Sequence, residues 1–284
     1  MKPCEQAARR RQRLLWRIHR RYVTTASEVR LGDFHFLFTR IADPDRVLDE
    51  VAEEADRRER LTGHRQPDEQ LHLPYWAELW DSAMGIGQFL VRSASENKIG
   101  TGAIFDPHAR QGAAHGWEQK IAPVPIFGPV SSSPRPALSP SLRVLDLGCG
   151  MGLSGTIAAG LGARVLFADI EPPALLFAQL NSLPWSGRVR TRRVDWRSDR
   201  LGETFDLILG ADILYERTQW QFLEPFWRRH LSPEGEILLG EPGRQTGDLF
   251  IDWIRNRGWQ LDMHEEKVPT RERPIRIFRL RPQP

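Results

Sequence analysis

The segment that most constrains this chain is residues 142–152, with the sequence Leu-Arg-Val-Leu-Asp-Leu-Gly-Cys-Gly-Met-Gly. An apolar run ends abruptly at three glycines, Gly148, Gly150 and Gly152, and a second apolar stretch of helical character follows. Strand, glycine-rich turn and helix in that order are typical of α/β folds. Glycine adopts positive φ and lets a ligand approach the backbone, while the N terminus of the helix offers free N–H groups. The segment therefore predicts a nucleotide-binding turn in an α/β fold.

Asp146 comes just before these glycines, and its carboxylate limits which nucleotide the turn can bind. An acid at this strand end repels a diphosphate but suits an ammonium group. The pattern D-x-G-x-G-x-G resembles motif I of the class I S-adenosylmethionine-dependent methyltransferases, whose cofactor carries an amino acid instead of phosphates. The resemblance implies S-adenosylmethionine as the cofactor, bound by Asp146 and the three glycines. It also implies an α/β fold with a doubly wound, Rossmann-like, seven-stranded sheet whose last strand is antiparallel.

A second acid follows the next apolar strand. Residues 163–169 end at Asp169, about 20 residues after the first glycine, where a carboxylate can accept hydrogen bonds from both ribose hydroxyls. Glu171 is a nearby acid that could take the same role. The alternative for Asp169 is structural, as the N-cap of a helix predicted over residues 172–181, since proline is favoured in a first helical turn. Ribose binding and capping are compatible.

Asp195 and Trp196 stand together after the next predicted strand, residues 188–194. A carboxylate can accept a hydrogen bond from the adenine amino group, and an indole can stack on the adenine ring. We therefore predict the adenine site here. The alternative is that Trp196 is only a half-buried aromatic residue of a loop.

A fourth segment, residues 205–215, contains a strand that is apolar on both faces, as the central strands of parallel sheets are. The strand ends at Gly-Ala-Asp, and ligands of open α/β sheets bind at the carboxyl ends of the strands. Ala211 is therefore predicted to contact the cofactor, and Asp212 and Tyr215 to line the mouth of the active site. The alternative is a helix cap at Asp212 and a core ring at Tyr215.

The segment from Asp212 to Tyr215 matches the D-x-x-Y signature of the methyltransferase family 16 group, the seven-β-strand protein-lysine methyltransferases. Residues 74–85 resemble the segment that precedes motif I in that group, and residues 195–197 resemble its adenine-side D-W motif. The resemblance implies methyl transfer to a lysine side chain of a protein. Other members of the wider group methylate arginine or small amines, so an N-methyltransferase of a small amine or nicotinamide-like metabolite stays open.

Methyl transfer from a sulfonium mainly requires positioning and the exclusion of water. Trp80 is a candidate to pack against the methionine end of the cofactor, because a cation favours an aromatic face. The alternative is that Trp80 is a core residue of an amphipathic helix. A lysine amine, with an ordinary pKa of about 10.4, must lose its proton before it accepts a methyl group. Asp212 is predicted to orient the amine or accept that proton, and Tyr215 to form a wall of the acceptor channel.

Charge limits the partners of this chain. Its 284 residues have a formal net charge of only +3, which is no global signature of polyanion binding. Residues 9–21 contain seven arginines and are a candidate for weak contact with nucleic acid, acidic lipid or an acidic protein face. A solvated basic helix is the simpler interpretation. We predict a protein substrate, disfavour nucleic acid, and leave the oligomeric state open.

Other classes of site and location are disfavoured by the residues present. The histidines are scattered, so no metal site is predicted. Cys4 and Cys149 lie in unrelated contexts, which does not support a disulfide framework. No apolar stretch reaches the length of a membrane span and no signal peptide is evident, so we predict no membrane partner and a cytoplasmic protein. A non-catalytic interaction protein of the same fold is the alternative from another class, and the complete set of cofactor-site residues disfavours it.

We divide the chain into an N-terminal segment, residues 1–72, and a methyltransferase domain, residues 73–284. The N-terminal segment is predicted to contain a basic helix over residues 5–22, a hairpin around Gly32-Asp33, and a charged helix that starts at Asp43-Pro44. Leu14, Ile18 and Tyr22 follow a helical spacing and could dock on the core.

The methyltransferase domain is predicted to begin with a helix over residues 76–91. Regular β-α alternation follows from Arg143, and residues 259–268 and 274–281 form the closing strand pair. Residues 93–141 hold seven of the 21 prolines and are predicted to be an insertion that is largely loop. Apolar spots within it could cover the site as a lid, although a surface elaboration is the simpler interpretation.

Overall fold

The computed structural model describes residues 3–32, 34–63, 73–96 and 138–283. Within them, seven strands form one sheet with the order β5-β4-β3-β6-β7-β9-β8. The first five strands in this order are parallel, whereas β9 runs antiparallel to both β7 and β8. The predicted doubly wound sheet with an antiparallel last strand is confirmed.

The elements alternate along the chain as the sequence pattern predicts. The strands of the sheet are Arg143–Leu147 (β3), Arg164–Asp169 (β4), Val189–Arg193 (β5), Phe205–Ala211 (β6), Leu231–Glu241 (β7), Trp259–Glu266 (β8) and Ile275–Pro282 (β9). The helices around it are Asp81–Glu96 (α3), Leu153–Gly160 (α4), Pro172–Asn181 (α5), Arg217–His230 (α6) and Gln245–Arg255 (α7).

The core consists of two apolar layers, one on each face of the sheet. Alternate residues of the central strand β6 belong to different layers: Leu207 and Leu209 to the first, and Ile208 to the second. The first layer also contains side chains of α3, α4 and α5, and the second those of α6 and α7. Helices on both faces explain why the middle residues of these strands, Val144 and Leu145 in β3 and residues 207–209 in β6, are all apolar, since neither face of the sheet is open to solvent there.

The N-terminal extension packs on the first layer. It comprises Pro3–His19 (α1), the antiparallel strands Thr24–Leu31 (β1) and Phe34–Ile41 (β2), and Pro44–Thr62 (α2). Leu14 and Ile18 of α1 are buried, as their spacing predicts. The side chain of Asn181 at the end of α5 joins the hairpin to the domain: its Oδ1 accepts from the Thr39 N–H at 2.8 Å and its Nδ2 donates to the Thr39 carbonyl at 3.0 Å.

Element boundaries differ from the prediction in several places, and the basic helix expected over residues 5–22 spans Pro3–His19. The helix expected over residues 76–91 starts at Asp81 and ends at Glu96, and a separate 3-10 turn occupies Tyr75–Ala77. Glu78 has an extended backbone, with φ −92° and ψ 145°, so one continuous helix is broken at that point. Trp80 therefore precedes α3, and the alternative that it is a core residue of that helix is wrong.

The insertion predicted over residues 93–141 is shorter at both ends, because α3 extends to Glu96 and Leu138 is fully buried. Its middle, residues 97–137, lies outside the described residues, and so does the predicted lid. In the described ranges, no helix has the length and apolar character to cross a membrane.

Candidate active site

The three glycines form the turn between β3 and α4, and all have positive φ: +63° at Gly148, +51° at Gly150 and +83° at Gly152. At Gly152 a Cβ atom would lie 2.7 Å from the Cβ atom of Ala178 in α5, so only glycine fits there. At Gly150 the nearest atom to a Cβ would be the Trp76 carbonyl oxygen at 3.6 Å. The turn is therefore packed tightly against α5 and lies beside the 3-10 turn.

Asp146 is buried beneath this turn at the end of β3. Its Oδ2 accepts a hydrogen bond from the Gly155 N–H in the first turn of α4, at 2.9 Å. Burial raises the pKa of Asp146 to about 7, the Gly155 hydrogen bond opposes the rise, and the charge of Asp169 adds to it. A cation placed beside Asp146 would favour its ionised form, which fits the predicted role of Asp146 in binding the ammonium group of the cofactor.

Asp169 at the end of β4 is bound to the same turn. Its Oδ2 accepts from the Gly150 N–H at 2.8 Å, and its Oδ1 accepts from the Glu171 N–H at 2.9 Å. Burial raises the pKa of Asp169 to about 6, against the lowering effect of these hydrogen bonds. The alternative of an N-cap at Asp169 is wrong, because the N-cap of α5 is Glu171. Each oxygen of Asp169 retains a further lone pair that can accept from a ribose hydroxyl.

Trp196 forms the wall of the turn on the side of β5. A Cβ atom at Gly148 would lie 3.4 Å from the Trp196 ring, and the indole Nε1–H donates to Gln219 Oε1 at 3.1 Å. Asp195 Oδ1 accepts from the Arg197 N–H at 2.9 Å. The half-buried indole is thus held by one edge beside the glycines, where an adenine ring could contact it.

Asp212 follows Ala211, the last residue of β6, and is the one non-glycine residue of the described chain with a positive φ, +53°. Its N–H donates to the Gly240 carbonyl at 2.9 Å. Its carboxylate accepts two hydrogen bonds from Arg244, from Nε at 3.1 Å and from Nη2 at 2.8 Å. The helix-cap alternative for Asp212 is wrong, since α6 has Glu216 at its N-cap.

Three aromatic side chains near Asp212 contact one another, and one of them, Trp80, lines a cavity together with Asp212. The ring centroids of Tyr75 and Tyr215 are 5.5 Å apart, and those of Tyr75 and Trp80 are 6.4 Å apart. Both tyrosines are 42% exposed, so the alternative of a core ring at Tyr215 is wrong. Burial of the hydroxyl, together with nearby acids led by Glu216, raises the pKa of Tyr215 to about 12. The Trp80 indole Nε1–H donates to the Tyr75 carbonyl at 2.9 Å, which holds the two residues together.

A cavity of about 360 Å³ opens between Asp212 and the loop after β7. Four of its charged lining residues were not predicted from the sequence: Glu78, Asp81, Arg244 and Arg271. Arg271 donates to the Pro242 carbonyl at 2.8 Å and lies 4.0 Å from the Asp81 carboxylate. The rule that the carboxyl ends of parallel strands line the site would have pointed to the loop after β7, but no motif marks Arg244 or Glu78.

The fold and this edge of the sheet define a doubly wound α/β protein with a nucleotide-binding turn and an adjacent acidic, aromatic cavity. More particularly, the chain belongs to the lysine methyltransferase family, whose sequence model matches residues 75–256. The matched region extends from the 3-10 turn to the end of α7 and contains every residue predicted to form the site.

Named relatives agree with this family. Protein N-lysine methyltransferase METTL21A of Xenopus tropicalis is 39% identical over 103 residues, which cover 34% of this chain and 46% of the relative. EEF1A lysine methyltransferase 3 of Mus musculus is 35% identical over 146 residues, covering 49% of this chain and 61% of the relative. The chain thus spans about half the length of these relatives.

Among solved structures, the N-methyltransferase NodS from Bradyrhizobium japonicum, in complex with S-adenosyl-L-homocysteine, superposes with a TM-score of 0.43. It is 20% identical and covers 50% of this chain and 78% of its own.

Proposed function

We propose that this protein is an S-adenosylmethionine-dependent methyltransferase that methylates a lysine side-chain nitrogen of a protein substrate. The observation that carries the proposal is the position of Asp212. Its carboxylate lies at the end of β6, beside the exposed ring of Tyr215 and next to the glycine-rich turn of β3 in the sheet. A cation-binding acid and a nucleotide-binding turn therefore share one edge.

The residues present fit the cofactor. The three glycines of the turn have positive φ, and Asp146 is a buried acid that a cationic neighbour would help to ionise. Asp169 would hold the ribose and Trp196 the adenine, with Ala211 at the adjoining strand end. S-adenosylmethionine supplies an electrophilic methyl group on a positively charged sulfur. No metal is required for this chemistry, and the proposal assigns none.

The residues around the cavity would prepare the acceptor. Asp212 orients the lysine nitrogen by hydrogen bonding, and the rings of Tyr75, Trp80 and Tyr215 exclude water from it. Exclusion of water lowers the pKa of a lysine amine, because burial disfavours the charged form. The nitrogen then passes its proton to the Asp212 carboxylate, and its lone pair forms the new bond to the methyl carbon as the carbon–sulfur bond breaks. S-adenosylhomocysteine and the methylated amine are the products.

An open rim favours a protein over a small metabolite as the acceptor. The two tyrosines beside Asp212 are exposed, and the three acids of the cavity outnumber its two arginines. A lysine on a protein surface could reach this rim without a closed pocket around it, and the acids would attract its charge.

The test is transfer of a radiolabelled methyl group from S-adenosylmethionine into cell extract separated into protein and metabolite fractions. We expect label in protein, recovered as methyl-lysine after acid hydrolysis. Label confined to the metabolite fraction would support a small amine instead. Absence of binding to both S-adenosylmethionine and S-adenosylhomocysteine in calorimetry would refute the enzyme function altogether.

The matched variants are Asp212→Asn and Asp206→Asn, at opposite ends of β6. Asp206 pairs with Arg143 at 3.2 Å, far from the glycine-rich edge. We expect Asp212→Asn to lower turnover about 100-fold, the size of effect typical of a group that handles a proton, and Asp206→Asn to leave it within about twofold. Full turnover of Asp212→Asn would remove Asp212 from the mechanism.

A further inference from the structure

The cation site of the cavity already contains a cation of the chain itself. The guanidinium of Arg244 donates two hydrogen bonds to the Asp212 carboxylate and lies 5.7 Å from the centroid of the Trp80 ring. An acid and an aromatic face are the two partners that a lysine ammonium would need there. Arg244 therefore occupies the contacts expected for the acceptor.

The two partners of this ion pair are unequally exposed. The Asp212 side chain is 4% exposed, whereas the Arg244 side chain is 41% exposed. If Arg244 simply left, the Asp212 carboxylate would stay nearly buried without a counter-charge, which is costly. Departure of Arg244 is therefore favourable only when another cation takes its place.

A second acid in the same cavity can receive the displaced guanidinium. The Glu78 carboxylate lines the cavity with Arg244, and it has no hydrogen bond or ion pair among the residues that the structure describes. Burial and the charges of Asp45, Asp81 and Asp212 raise the pKa of Glu78, whereas Arg244 lowers it. Because these acids surround Glu78 with negative charge, a cation beside its carboxylate would be stabilising.

The backbone at Arg244 is held in place, so only its side chain has to move. The Arg244 N–H donates to Glu241 Oε1, and the Arg244 carbonyl accepts from the Gly247 N–H at 3.0 Å and from Arg276 Nη2 at 3.2 Å. Glu241, at the end of β7, is buried and accepts from the Gly243 N–H at 2.8 Å and from Arg276 Nε at 2.7 Å. The side chain of Arg244 can therefore swing without unfolding the strand end.

We propose that Arg244 is a positioning residue that holds Asp212 until the acceptor ammonium displaces it, and that Glu78 then becomes the partner of Arg244. This exchange rests on the proposed function of the site and deepens it. It makes the site selective for acceptors that arrive with a positive charge, because a neutral group cannot replace Arg244 at a buried carboxylate.

The test measures binding of a lysine side chain without requiring the natural substrate. The probe is Nα-acetyl-lysine N-methylamide, titrated calorimetrically into the full-length protein with and without S-adenosylhomocysteine. The norleucine analogue, which has no ammonium group, is the matched control ligand. We expect Arg244→Met to bind the lysine probe about fivefold to tenfold more tightly than the wild type, since a competing ion pair has been removed.

Three further variants distinguish the exchange of ion-pair partners from a general effect of charge. Arg271→Met removes the same charge from the same cavity but no contact with Asp212, and we expect less than about a twofold change. Glu78→Gln removes the alternative partner of Arg244, and we expect the probe to bind about threefold more weakly. Arg244→Lys restores a competing cation and should return the affinity toward the wild-type value.

Several results would overturn the exchange. Unchanged or weaker probe binding in Arg244→Met, equal gains in Arg244→Met and Arg271→Met, or absence of probe binding in every variant would each do so. The titration with S-adenosylhomocysteine is the separate test of the proposed function. If S-adenosylhomocysteine binds but the lysine probe does not follow the expected pattern, only the exchange is refuted. If S-adenosylhomocysteine does not bind, the proposed function is refuted.

Discussion

The two halves of the candidate site are built in different ways. On the cofactor side, Asp146 and Asp169 are buried, and their carboxylates accept hydrogen bonds from backbone N–H groups of the turn and the following helices. On the acceptor side, the Asp212 carboxylate accepts hydrogen bonds from the partly exposed side chain of Arg244, and the tyrosines beside it are exposed.

This difference separates recognition of a constant ligand from recognition of a variable one. Backbone donors are fixed by the fold, so the cofactor side cannot rearrange without unfolding the turn. Side-chain ion pairs can exchange partners, so the acceptor side can adapt to the charge that arrives. We therefore expect mutations on the cofactor side to affect stability and cofactor binding together, and mutations on the acceptor side to affect acceptor binding and turnover without changing cofactor binding.

The largest effect is expected at Gly152. In Gly152→Ala the new Cβ atom would collide with Ala178 at a positive φ. The free energy of unfolding should fall by about 3 kcal/mol, and calorimetry should detect no cofactor binding. Gly202→Ala is the control, because Gly202 has a φ of +72° and open space around it. Gly202→Ala should lower the free energy of unfolding by about 1 kcal/mol and leave cofactor binding intact. Equal losses in both variants would contradict tight packing of the turn.

The next effect distinguishes two acids that the sequence left open. Asp169→Asn should weaken binding of S-adenosylhomocysteine about 100-fold, because the carboxylate holds the Gly150 N–H and offers its other lone pairs to the ribose. Glu171→Gln should change the affinity by less than about threefold. Isothermal titration of both variants decides between them, and the reverse order would assign the ribose to Glu171.

A smaller effect is a pH dependence of cofactor binding. The pKa of Asp146 is raised to about 7, so its carboxylate is largely protonated at pH 6 and ionised at pH 8. If the ionised form binds the cofactor ammonium, affinity should rise about tenfold from pH 6 to pH 8. Asp146→Asn should remove most of this dependence. If the cofactor affinity of the wild type does not change between pH 6 and pH 8, Asp146 does not bind the ammonium group of the cofactor.

The same raised pKa values predict how the ligand-free protein responds to pH. The folded-state pKa values of Asp146 and Asp169, about 7 and about 6, both exceed the ordinary value of 3.8 for an aspartate side chain. The folded state therefore binds more protons than the unfolded state between about pH 4 and 7, and stability from these groups is lost as the pH rises through 6 and 7. Thermal unfolding should show Asp146→Asn more stable than the wild type at pH 8. A less stable variant at pH 8 would contradict this.

The smallest effect is expected on the acceptor side, at Tyr215. The pKa of about 12 keeps its hydroxyl protonated, and Tyr215→Phe retains the ring that forms the wall. Turnover of labelled methyl into extract protein should fall only about threefold, without a change in the melting temperature or in cofactor affinity. A loss above about 100-fold would make the hydroxyl part of the proton transfer itself.

Much of the site was predictable because its residues follow strand ends in sequence. The glycine turn, Asp169 and Asp212 are each marked by an apolar run that stops, and Trp196 follows the end of another predicted strand. Parallel strands place their carboxyl ends at one edge. The alternatives of a helix cap at Asp169 and at Asp212 were wrong, because spacing in the sequence does not show which backbone group a carboxylate reaches. The division at residue 72, the cytoplasmic location and a contact through residues 9–21 stay predictions.

The ion pair of Asp212 with Arg244 joins residues 32 positions apart, and no local pattern indicates it. Glu78 was missed for a related reason, since its place in the cavity depends on the break between the 3-10 turn and α3. Periodicity, glycine spacing and strand-end acids alone determined the fold and the cofactor edge, because these are short-range features of the backbone. Only the tertiary structure decided which charges meet in the acceptor cavity, because packing of distant loops sets the distances between side chains.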